Sequence, residues 1–157
     1  MRPWVHTDER RAALWREMQS WEGTPFFAHN ASKGHGVDCV RLQMEIFAGA
    51  GAIARVPLPA YTLDHAKHTT RPQLLLWLLT APELAGRLVM VSPAGRLMTG
   101  DLLGVNCGRV DHHLASVTPW GDAIHAVDPT GVIRTPLDDP KLRGRIVYAL
   151  RLMEVAS

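Results

Sequence analysis

The apolar pattern of this chain changes period once, and that change limits the folds open to it. As far as about residue 84 the apolar residues recur at helical spacing. From Leu88 onward they fall into short runs separated by turn residues. Thr7 to Trp21 reads as a helix, capped by Thr7 or Asp8, with Ala12, Leu14, Trp15, Met18 and Trp21 as its apolar stripe. Gly23-Thr24-Pro25 ends it. Residues 28–37 form a polar, glycine-containing loop, and a second helix begins at Asp38 or Cys39. Val40, Leu42, Met44, Ile46, Phe47 and Ala48 make that helix apolar around much of its circumference, which predicts burial. Residues 55–72, with Pro57, Pro59 and Pro72, read as irregular. Gln73 to Leu79 predicts a third helix, extending past Pro82 towards Leu84.

Strands are predicted at Leu88 to Val91, Asp101 to Val105, Leu114 to Val117, Ala123 to Val127, Gly131 to Arg134 and Ile146 to Leu152. Helices followed by strands point to an α+β fold, with N-terminal helices packed on a C-terminal antiparallel sheet, rather than to alternating α/β. No internal repeat and no long linker divides the chain, so residues 1–157 are read as a single domain.

Composition removes several classes of function. The 157 residues are 46% hydrophobic and 20% charged, which excludes a disordered tail. A net charge of +2 is too small for binding nucleic acid by bulk electrostatics. The longest strongly apolar run, Leu74 to Leu79, falls far short of the roughly 20 residues of a membrane span. The N-terminal segment has no apolar stretch of the secretory kind. The expectation is therefore a chain that is cytoplasmic as made, acting there, carried in a virion or delivered by another machine. Two cysteines, Cys39 and Cys107, do not make a disulfide framework, and a reduced compartment is expected.

Cys39 follows a loop containing Gly34 and Gly36 and sits at a predicted helix start. A helix N-terminus carries partial positive charge and unpaired N–H groups, so it favours thiolate and can hold a developing oxyanion. The other reading of Cys39 is a small buried hydrophobe. A thiolate nucleophile needs a base, most often histidine, and often a third group that orients it. His113 and His125 supply both from adjacent predicted strands, 12 residues apart, around the turn Thr118-Pro119-Trp120-Gly121-Asp122. Hairpin pairing is expected to set them side by side. Chemistry alone leaves His112 and His113 as alternatives for the base. His29 and His35 fall in the loop before Cys39, and His6, His65 and His68 lie in segments without a supporting pattern. A zinc site from Cys39, Cys107, His113 and His125 lacks any supporting metal-ligand spacing, and no cofactor is expected.

These motifs carry a resemblance. Gly23-Thr24-Pro25-Phe26, a polar loop and Gly36-Val37-Asp38-Cys39-Val40-Arg41-Leu42 resemble the nucleophile region of the NlpC/p-sixty family of cell-wall cysteine peptidases, of phage-associated type. Gly100-Asp101-Leu102-Leu103, His113-Leu114-Ala115-Ser116-Val117 and Ile124-His125-Ala126 are similar to its later motifs, in order. The resemblance runs from about Trp21 to Val127. It implies a papain-like fold with nucleophile Cys39, base His113 and orienting residue His125. The Leu-Ala-Ser-Val that follows, and the gap to His125, favour His113 over His112. It further implies cleavage of peptidoglycan stem peptides or related small peptides, with Asp38 near the substrate's free amine and Phe26 or Phe27 at the substrate. Phage tail proteins are the other partners that it suggests.

Two departures stand out. Val40-Arg41 replaces the usual Ser-Gly after the cysteine, and phenylalanine replaces an upstream tyrosine, so altered substrate recognition is expected. Two other readings fit the same residues. One is a catalytically silent tail or assembly module on this fold. The other is an amidase or acyltransferase with a non-wall substrate.

Overall fold

The computed structural model describes residues 1–58, 73–107 and 110–155. A 3-10 turn at Trp4–His6 leads into α1 (Asp8–Trp21). The Thr7 side chain accepts from the backbone N–H of Arg10, and Asp8 and Glu9 lie in the first turn, where the helix dipole favours them. Leu14, Met18 and Trp21 are its buried residues, spaced by four and three as one helix face requires. A two-residue hairpin, β1 (Ala31–Ser32) and β2 (Gly36–Val37), occupies the segment read from sequence as loop. Then come α2 (Cys39–Gly49) and α3 (Gln73–Thr80). The third helix stops at Thr80 rather than running on to Leu84. Pro82 lacks the N–H that the helical ladder would need and restricts Ala81 before it.

The strands β3 (Leu88–Val91), β4 (Leu102–Cys107), β5 (Val110–Val117), β6 (Asp122–Val127), β7 (Gly131–Pro136) and β8 (Ile146–Leu152) form one antiparallel sheet in the order β3-β8-β4-β5-β6-β7. Before β8 lies a one-turn helix, α4 (Pro140–Arg143), capped by Asp139. Cys107, read as part of a turn, is the last residue of β4 and pairs with Val110.

Strand alternation sends side chains to the two sheet faces in turn. Leu102, Leu114, Ile124, Ala126 and Leu150 join the core that contains Leu14, Met18, Leu42, Ile46 and Phe47 of α1 and α2. Leu103, Val105, Ala115, Val117, Ala123 and Ala149 form a second cluster, closed by Leu142 of α4. The expected α+β arrangement of helices on an antiparallel sheet is therefore what the chain adopts. Residues 59–72, with His65 and His68, lie outside the described residues, as do the side chains of Cys107 and His112.

Candidate active site

The segment before α2 is tied down on both sides. Gly23 donates to the Val132 carbonyl (3.0 Å), and Val132 donates back to the Thr24 carbonyl (2.9 Å). The Thr24 hydroxyl, in a buried residue, accepts from the Gly34 N–H. Val37 donates to the Pro25 carbonyl, and Phe27 donates to that of Val37. The Gly-Thr-Pro motif thus clips the start of β7 to the hairpin that enters α2. Gly131 makes the approach possible. It has φ +100°, and a side-chain carbon there would lie 2.6 Å from the Thr24 carbonyl oxygen.

Cys39 takes the first position of α2 and is 2% exposed. Asp38 caps the helix. Its Oδ1 accepts from the Arg41 backbone N–H (2.9 Å), while its Oδ2 accepts from Arg41 Nη1 (2.6 Å) and from the His29 N–H (2.8 Å). The carboxylate proposed from sequence to meet a substrate amine is therefore buried and paired with a cation of its own helix. Phe26 is half-buried, bridges to Val37 and packs on the core, whereas Phe27 is 61% exposed. His29, at φ +62°, and His35 are exposed in the same loop.

His113 and His125 come together. His113 Nε2 lies 2.8 Å from His125 Nδ1, with the ring centroids 5.0 Å apart and the planes at 63°. They do not face each other squarely, as the hairpin argument expected. β5 and β6 pair at Ser116 with Ile124 and at Val117 with Ala123. Continuing that register sets His125 opposite Ala115, two residues from His113. The ladder ends at these two pairs, so the imidazoles meet diagonally where the strands part. The Ile124 carbonyl accepts from the side chain of buried Gln43, from α2, at 2.9 Å.

Across β7 the row continues, with His125 Nε2 2.8 Å from Thr135 Oγ1. Burial pushes the His125 imidazole down to about 4, so it is neutral at pH 7. Thr135 and Gln43 were not singled out from sequence. Their signal was faint, a threonine in a strand and one amide on an otherwise apolar helix face. Among the described residues, no three His, Cys, Asp or Glu side chains are grouped to hold a metal ion, and no helix is long and apolar enough to cross a membrane.

No protein-family model matches this chain, and no curated protein matches it. Solved structures do. An NLP/P60 family protein from Staphylococcus aureus, described as similar to lipoprotein, superposes with a TM-score of 0.64 at 21% identity, over 98% of this chain and 44% of its own. The NlpC/p60 domain of the peptidoglycan hydrolase SagA gives 0.56 at 20%, over 89% of this chain and 97% of its own. The peptidoglycan hydrolase RipB from Mycobacterium tuberculosis gives 0.60 at 18%, over 98% and 69%. The fold is thus that of NlpC/P60 proteins, and this chain spans less than half of the Staphylococcus aureus protein.

Proposed function

We propose that this chain is a thiol hydrolase that cleaves an amide bond in a peptidoglycan stem peptide. The reading rests chiefly on the hydrogen-bonded row His113–His125–Thr135, in a chain that also starts a helix with Cys39. The peptidoglycan hydrolases that share the fold support the substrate class.

The roles follow from proton positions. Neutral His125 offers Nδ1 as acceptor to His113 Nε2–H and donates Nε2–H to Thr135. That tautomer leaves the proton of His113 on Nε2, so Nδ1 is the nitrogen that takes the Cys39 thiol proton. Cys39 Sγ attacks the amide carbonyl carbon, and N–H groups of the first turn of α2 stabilise the oxyanion. Collapse breaks the C–N bond, and His113 returns its proton to the leaving amine. Water, deprotonated by His113, then attacks the thioester, releases the acid and restores the thiol. One amide and one water give one acid and one amine. Cys39→Ala is expected to abolish release of new amines from purified peptidoglycan; retained release removes the assignment.

One observation favours a second reading, the silent binding module. At 2% exposure, Cys39 is covered in the free protein. Iodoacetamide alkylation against pH, in a Cys107→Ser background, separates the two. Reaction well below pH 8 that His113→Ala slows supports the hydrolase. An ordinary thiol profile with pKa ~8.5, unchanged by His113→Ala, supports the module.

A further inference from the structure

Arg41 stands two residues after Cys39, on the same helical turn, and it alters what that turn can bind. A carboxylate beside a nucleophile attracts a substrate ammonium group only while its charge is unspent. Asp38 accepts three hydrogen bonds from the protein, one of them from the Arg41 guanidinium, and is 6% exposed. A substrate ammonium would have to break a charge-assisted bond to reach it and would meet a like charge beside it. The carboxylate is thereby removed from ammonium recognition.

Among the described residues the guanidinium is only partly used. Nη1 is engaged by Asp38, whereas Nε and Nη2 have no acceptor among the described residues. Arg41 also lines a groove of about 410 Å³, otherwise walled mainly by Met44, Val56, Pro57 and Leu58. The neighbouring charges there, Glu45 and Arg55, pair with each other. What remains is a largely apolar trough with Arg41 in its wall. That chemistry fits a carboxylate on a short, largely apolar peptide segment.

We propose that Arg41 sets the charge preference of the site. It cancels Asp38 as an ammonium acceptor and presents its remaining donors to a substrate carboxylate, so the ligand is an amine-blocked, acidic peptide rather than one with a free N-terminal amine. This rests on the hydrolase reading for its chemistry but is tested by binding. The probes are two stem tetrapeptides that differ only at the N-terminus, one succinyl-capped and one with a free amine, titrated calorimetrically into Cys39→Ala protein. The succinyl peptide is expected to bind at least about tenfold more tightly, the scale of one charge-assisted contact. Arg41→Gln, which frees the Asp38 charge, is expected to reverse the order, and Arg41→Lys to keep a reduced preference.

Equal or tighter binding of the free-amine peptide to the Arg41-containing protein overturns the proposal, as does an order that Arg41→Gln leaves unchanged. Should Arg41→Gln fail to fold, the comparison between Arg41→Lys and the protein that keeps Arg41 still decides. Intact charge preference without turnover in the Cys39-containing protein condemns the hydrolase reading and leaves this one standing.

Discussion

His113 and His125 share a hydrogen bond of 2.8 Å although they are not cross-strand partners. Their contact exists because β5 and β6 stop pairing at Ser116 and Ile124, which leaves room for two rings to meet diagonally. Burial holds the His125 imidazole down to about 4, which keeps it uncharged at neutral pH.

That depressed value makes stability depend on acid. The unfolded chain binds a proton at His125 near 6.5, whereas the folded chain resists until about 4. The contribution is therefore complete above about pH 6.5 and is lost as pH falls towards 4, on the order of 3 kcal/mol in all. Urea unfolding at pH 7, 5.5 and 4.5 should show this decline. His125→Asn should flatten it, and an equal slope in that variant would place the acid sensitivity elsewhere.

Asp101 is 1% exposed and receives two hydrogen bonds from Arg151, at 3.0 and 2.8 Å, and one from the Met98 N–H. The aspartate of the Gly-Asp-Leu motif thus locks the start of β4 to β8. Asp101→Ala should cost about 3–5 kcal/mol by leaving a partly buried cation without its partner. Denaturant unfolding would read it, and a cost under about 1 kcal/mol would mean that water replaces the carboxylate.

Gln43→Leu keeps the volume of a core side chain but strands the Ile124 carbonyl. The expected loss is about 1–3 kcal/mol. Because Ile124 adjoins His125, the imidazole NMR resonances of His113 and His125 should also move. Unchanged resonances would show that β6 is held in place without α2.

Gly131→Ala puts a side chain at a positive φ and against the Thr24 carbonyl. A penalty of about 2 kcal/mol, or roughly 4–8 °C in melting temperature, is expected. Retention of the wild-type midpoint would show that the Gly-Thr-Pro segment moves freely.

The sequence reveals most where one element can be read by itself. Thr7 and Asp38 announce the two helix starts, and the buried face of α2 follows from its apolar residues. α4 escapes such a reading because four residues carry no period. The diagonal offset of His113 from His125 is hidden because it depends on where the ladder stops, which no residue of the hairpin declares. Sequence resemblance gives Asp38 to the substrate, and Arg41 registers there only as a departure from a pattern. That the two side chains pair becomes visible only once the helical turn is built. Phe26 and Phe27 cannot be told apart in sequence, although one packs inward and the other meets solvent.

The sheet order has a bearing on how the chain assembles. β8 is the last strand in sequence, yet it lies between β3 and β4. On the ribosome, the ribbon from β4 to β7 can form early, while β3 has no neighbour to pair with until residue 152 has emerged. The sheet therefore closes in one late event, and a cut in the stretch that joins β7 to β8 would release β8 and leave β3 without its partner strand.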